Sequence, residues 1–122
     1  ATINAKTDMF ALATTGAITI LTNASNSGVV VQVNSIYVAN VDGTNNADIS
    51  IDIHNGVATA GASSSAAGVG FAIASTVVVP ADATVVVLDK NSPVFLEEAM
   101  SISAAPSAAD DLEVVISYQE IS

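Results

Sequence analysis

Apolar and polar side chains alternate strictly along Ala47-Asp48-Ile49-Ser50-Ile51-Asp52-Ile53-His54. Because successive side chains of a strand point to opposite faces, the three isoleucines share one face and the polar residues share the other. This period of two predicts a half-buried antiparallel strand, with Ile51 in the core and with Asp52 and His54 exposed on the solvent side.

The preceding segment is a long extended run, Val29 to Val41, whose inward-facing side changes near Asn34-Ser35. Such a change of phase predicts a β-bulge or kink, which lets one strand serve two regions of a sandwich. The turn-forming residues 42–46 follow, and we expect Ile36–Val41 to pair with Ala47–His54 as a hairpin.

Later segments repeat the strand signal. Val77–Val79 and Thr84–Leu88 flank a tight connection at residues 80–83, and we expect them to be partner strands covered by the core on one face and by a neighbouring subunit on the other. In the last segment one face is apolar, and it carries Leu112, Val114, Ile116 and Tyr118. Further short strands are expected near residues 17–22, 71–74, 94–96 and 100–104.

Composition agrees with this pattern. Of 122 residues, 51% are hydrophobic and only 4% are aromatic, and the apolar residues are mainly Ala, Val and Ile. Branched side chains of this kind favour sheets, and the length suits one domain. We expect an all-β fold, an antiparallel β-sandwich of jelly-roll or immunoglobulin-like topology with about eight strands. Residues 1–15 are interpreted as an N-terminal arm or edge strand, and residues 16–122 as the sandwich domain.

The charge balance excludes several classes of function. Two Lys, no Arg and twelve Asp and Glu give a net charge of −10, so nucleic-acid binding and adsorption to anionic membranes are not expected. No apolar run is long enough to span a bilayer, and residues 1–6 lack the layout of a signal peptide, so we expect synthesis in a cytoplasm. The chain has no Cys and a single His, which leaves no thiolate chemistry and argues against a Ser-His-Asp triad.

Four polar groups are candidates for chemistry. The Asp42–Asp48 turn has oxygen ligands for a cation, but a turn closed by local backbone hydrogen bonds is the better explanation. Asp52 and His54 share one strand face, but two ligands are too few for zinc and no nucleophile is evident. Glu97-Glu98 would point to opposite faces, and Asp110-Asp111 reads as solvated charge. We therefore predict no catalytic, cofactor-binding or metal site and no enzymatic activity. The Ala/Ser/Gly-rich stretch 58–68 is expected to be a loop of unassigned role.

Three blocks of sequence resemble a known group of proteins. The first is Val33 to Gly43 with Asp48 to Ile53, the second is Val79 to Thr84 with Val87 to Pro93 and Leu96 to Glu98, and the third is Leu112 to Ser122. Together they are similar to small virion structural proteins of tailed phages, notably myoviruses of marine cyanobacteria. The resemblance implies a non-enzymatic β-sandwich in the phage particle and transfers no functional residue.

The function expected from this resemblance is that of a capsid decoration or cement protein, which stabilises the phage head through contacts with the major capsid protein or other virion proteins. A tail, collar, baseplate or fibre subunit is the alternative, and a carbohydrate-binding module ranks lower because Trp is absent. A homo-oligomer is expected, with a trimer favoured, and no cofactor. The N-terminal arm would donate a strand to a neighbour's exposed edge.

Overall fold

The computed structural model describes residues 1–56 and 69–122, so the expected loop at 58–68 lies outside the described residues. Nine strands make up the described fold. They are β1 Ile3–Ala11, β2 Ile18–Asn23, β3 Val30–Asn40, β4 Ala47–His54, β5 Gly70–Val79, β6 Thr84–Leu88, β7 Val94–Leu96, β8 Met100–Pro106 and β9 Leu112–Ile121. Within the described ranges, no helix has the length and apolar character that a membrane span requires.

The strands form two antiparallel sheets, which confirms the β-sandwich. Sheet 1 has the order β1-β9-β3-β6, with the short β7 also paired to β3, and sheet 2 has the order β2-β8-β4-β5. Because β6 and β7 both lie along the same edge of β3, they act as one interrupted strand. The first strand then pairs with the last and the second with the last but one, which is jelly-roll order and not the immunoglobulin order.

Both expected strand pairings next to tight turns are wrong. β3 and β4 lie in different sheets, and so do β5 and β6. At the first corner the buried side chain of Asn40 donates to the carbonyls of Asn45, at 2.9 Å, and of Val79, at 3.0 Å. These bonds hold the connection between the sheets, because an unpaired buried carbonyl is costly. Alternation along a strand shows which side is buried, but it does not show which strand lies alongside.

The inward faces are those that the alternation predicts. Ile49 and Ile51 are fully buried, as are Val114 and Ile116 on β9. The bulge expected at residues 34–35 is confirmed, since the register between β3 and β9 shifts between Val33 and Ser35. Beyond this irregularity β3 changes partner along its other edge, from β7 to β6.

β1 stands at the end of sheet 1, where β9 is the one strand that pairs with it in the described part of the chain. The pairing runs without a register shift from Ile3 opposite Ile121 to Ala11 opposite Glu113. Residues 3–11 therefore add an edge strand to their own sheet, and most of their surface is exposed.

Candidate functional site

His54 is buried and not exposed, so its expected place at the surface is wrong. It lies on the outer side of sheet 2, where its Nε2 is 2.8 Å from the hydroxyl oxygen of Ser103 on β8. Gly70 of β5 packs directly against the ring, because a Cβ added at that glycine would lie 2.8 Å from the imidazole Cε1. The ring is thus enclosed between two neighbouring strands.

A buried Ser-His contact invites comparison with nucleophilic catalysis, but the surroundings do not supply the other parts. Ser103 is only 3% exposed, and the Nδ1 of His54 has no hydrogen-bond partner to orient the ring. A general base needs a substrate within reach of the nucleophile and a group that positions its imidazole. Both residues are buried and neither lines the grooves found at Gly28–Val30 and at Met9–Ala11, so this pair acts as a packing contact.

The turn after β3 is closed by its own hydrogen bonds. One carboxylate oxygen of Asp42 accepts from the backbone N–H of Thr44, at 2.8 Å, and of Asn45, at 3.3 Å, while the other accepts from the Asn45 side chain. These bonds, first of all the one from Thr44, hold the pKa of Asp42 below its ordinary value. Among the described residues no group of three or more His, Asp or Glu side chains is placed to hold a metal ion.

Glu97 and Glu98 lie in the connection between β7 and β8, not in a strand. The Glu98 carboxylate accepts a 2.9 Å hydrogen bond from the backbone N–H of Gly28. The two acids line one side of an open groove of about 480 Å³ that also involves Val30, Ile121 and Ser122. In this groove the Glu98 carboxylate therefore joins two connections of the fold, the one before β3 and the one after β7.

The outer face of sheet 1 presents apolar side chains to solvent. Four apolar side chains stand in one straight line across all four strands, because Met9 is opposite Val115, Val115 is opposite Tyr37, and Tyr37 is opposite Val86. We call these four residues the outer apolar row. Met9 is 74% exposed and Val86 is 51% exposed, so the row is presented to solvent.

The rest of this face is neutral and partly apolar. Toward the other end of the sheet lie Ile3, Ile121 and Val30 in a second cross-strand line, with Phe95 beside them on β7. Between the two lines the face carries small or uncharged residues such as Thr7 and Ser117, whose hydroxyls are 3.1 Å apart. Glu113 is the one charged residue on the outer side of the described strands of this sheet.

The opposite side of sheet 1 is charged at its β1 edge. Lys6 and Glu120 form an ion pair of 2.9 Å, and the hydroxyl of Tyr118 donates to the carboxylate of Asp8 at 2.9 Å. Burial, and then the bond to Asp8, raise the pKa of Tyr118 to about 12. These contacts attach β1 to β9 and leave the outer side of β1 free of charge.

Sequence reasoning marked Val77–Val79 and Val85–Val87 as contact residues and missed Met9 and Tyr37. Val86 belongs to the outer apolar row, whereas Val77–Val79 lie in β5 of sheet 2. The signal for the outer apolar row is weak in sequence, because its members come from strands near both ends and the middle of the chain. Only the register of three separate strand pairs brings them into line.

Comparison of the chain with protein-family models, with curated proteins and with solved structures finds no match.

Proposed function

We propose that this chain is a non-enzymatic structural subunit of a tailed-phage particle, most specifically a decoration protein on the head. It acts by presenting the outer face of sheet 1 to a neighbouring virion protein. The observation that carries this proposal is the outer apolar row, together with the absence of charge around it apart from Glu113. Contiguous exposed apolar patches mark interaction sites, since isolated domains rarely leave them open.

Two further observations support a mechanical role. The described side chains include no nucleophile with both a positioned base and access to substrate, and the buried polar groups serve to join strands. The resemblance of the sequence blocks to virion structural proteins supports a location in the phage particle. In a head, a neutral sheet face would cover apolar surface on the capsid protein and raise the free energy needed to separate capsomers.

The contact face is tested with a matched pair of variants. Val86→Lys places a charge in the outer apolar row, whereas Val78→Lys places the same charge on the outer side of sheet 2 at a valine of almost equal exposure, 52% against 51%. We expect Val86→Lys to reduce occupancy on purified particles by roughly tenfold or more, because a Lys buried in an apolar contact is costly. Val78→Lys should bind as the parent does. Equal binding by both variants, or a selective loss with Val78→Lys, would contradict this choice of face.

The position in the particle is tested separately by labelling the chain and imaging virions. Hundreds of copies distributed over the head support the decoration role, whereas a few tens at the tail, collar or baseplate would replace it with the tail alternative. A glycan screen on the isolated chain completes the test. Tight binding to one glycan without binding to particles would overturn the structural role altogether.

A further inference from the structure

The free edge of β1 is a complete strand edge with its hydrogen-bonding groups available. Thr2 and Ser122 exchange two backbone bonds, and the N–H of Leu12 donates to Leu112, so the even-numbered residues of this segment face β9. In an antiparallel pair the alternate residues direct their N–H and C=O groups the other way. The odd-numbered residues from Ile3 to Ala11 therefore face away from the sheet, and the described part of the chain places no strand beyond them.

We propose that two copies of this chain pair β1 with β1 in antiparallel register centred on Thr7, forming a two-fold dimer with sheet 1 continuous across both copies. A strand edge of nine residues without Pro or bulge is a template for another strand. Thr7 is the midpoint of Ile3–Ala11, so this register uses the whole edge in both copies. The inference stands on the edge strand and does not depend on the proposed function.

Charge selects this register over its neighbours. With Thr7 opposite Thr7, Lys6 of each copy lies opposite Asp8 of the other, on the same face of the sheet. Sliding the pairing one way would place Lys6 opposite Lys6, and sliding it the other way would place Asp8 opposite Asp8. Opposite charges stabilise directly opposed strand positions and like charges destabilise them. Two-fold symmetry repeats the favourable pair, because an isologous interface makes each contact twice.

Side-chain size on the outer face fits the same register. Met9 comes opposite Ala5, and Ile3 comes opposite Ala11, so each large side chain faces a small one. The two opposed Thr7 side chains meet at the axis. A second copy is therefore a better occupant of this edge than an unrelated strand, since the charge and size patterns of residues 3–11 are complementary to themselves when reversed.

The first experiment is charge exchange followed by sedimentation velocity. Two single variants are made, Lys6→Asp and Asp8→Lys. Each places like charges at positions 6 and 8, which lie opposite one another twice in the dimer, and each should weaken dimerisation by roughly tenfold or more. The double variant restores opposite charges across the dimer and should bind more tightly than either single variant, although it lacks the Lys6–Glu120 and Tyr118–Asp8 contacts that attach β1 to β9. Circular dichroism confirms that each variant is folded. Failure of the double variant to recover would overturn the register, as would a parent that sediments as a monomer or a trimer.

The second experiment is cysteine cross-linking, which is clean because the chain has no cysteine of its own. Opposed residues in a hydrogen-bonded antiparallel pair have Cα atoms about 5.5 Å apart, within the range that a disulfide spans. Thr7→Cys should therefore oxidise to a covalent dimer. Ala5→Cys is the matched control on the same strand face. It should not form a covalent dimer, because in this register residue 5 of each copy lies opposite Met9 of the other copy. Equal cross-linking at both positions, or none at Thr7→Cys, would overturn the proposal.

Discussion

Tyr118, which donates a hydrogen bond to Asp8, gives the chain a stability that depends on alkaline pH. We predict that the free energy of unfolding of the parent, plotted against pH, crosses that of Tyr118→Phe at alkaline pH. In the folded chain Tyr118 has a pKa of about 12, against a model value of 10.0 for the free side chain. A raised pKa means that the phenol contributes stability that is fully present below pH 10 and is lost as the pH rises through 12. Two units correspond to about 2.7 kcal/mol, the largest loss that this group can cause.

Tyr118→Phe removes the titrating group and keeps the ring. Near neutral pH the variant lacks one hydrogen bond, so its free energy of unfolding should fall by about 1 kcal/mol. Above pH 12 the ionisation of Tyr118 has lowered the free energy of unfolding of the parent by about 2–3 kcal/mol. Tyr118→Phe has no phenol to ionise at this position and is spared this loss, so the variant becomes the more stable protein. The two curves should therefore cross between pH 10 and pH 12.

Urea unfolding followed by circular dichroism at a series of pH values measures both curves. The titration itself is read from phenolate absorbance in a Tyr37→Phe background, where Tyr118 is the one remaining phenol because the chain has two tyrosines and no tryptophan. Parallel loss of stability in the parent and in Tyr118→Phe would refute the reasoning. So would a phenolate transition that is complete before pH 11.

The remaining predictions concern the core and the corners. Ile51→Asp should prevent folding, because it places an unpaired charge at a fully buried position, whereas the exposed Val78→Asp should fold normally by circular dichroism. Asn40→Ala should lower the urea unfolding free energy by about 1–3 kcal/mol, since two carbonyls lose their donor, and an unchanged midpoint would contradict this account. Gly70→Ala should cost about 1–3 kcal/mol and should cost much less in a His54→Ala background, because the added methyl meets the imidazole ring. The lowered pKa of Asp42 gives the parent a stability that is lost as the pH falls below about pH 4, when this carboxylate is protonated. Asp42→Asn has no carboxylate there to protonate, so it should lose less stability over the same pH range. Acid titration followed by circular dichroism measures the difference.

Local patterns predicted the parts of the fold that depend on one strand at a time. The alternation in β4 identified Ile49 and Ile51 as core, and the phase change near Asn34 identified the bulge. Both are properties of consecutive residues, because strand periodicity acts on each segment separately.

Strand partnership could not be obtained in the same way. The residues after β3 are equally suited to a hairpin turn and to a corner between sheets, and the choice depends on Asn40, whose amide reaches Val79 at the end of another strand. A contact across 39 positions leaves no trace in local spacing. The expected exposure of His54 was wrong for a related reason. His54 does lie on the outer side of its sheet, but Ser103 and Gly70 from two other strands enclose it there.

The distribution of acidic residues relates the net charge of the chain to the surface proposed for contact. Seven of the twelve acids lie in connections between strands, at positions 42, 82, 89, 97, 98, 110 and 111. Sheet 2 carries Asp48 and Asp52 on its outer side, where a second acidic surface would meet like charges. Among residues 1–56 and 69–122, Glu113 is the one charged side chain on the outer side of sheet 1. At physiological salt the repulsion between exposed charges falls off over about 8 Å. An approach through the outer apolar row therefore meets few charges, whereas Glu97 and Glu98 border the other end of this face beside Val30 and Ile121. A chain with a charge of −10 can therefore still make a close protein contact through the outer apolar row.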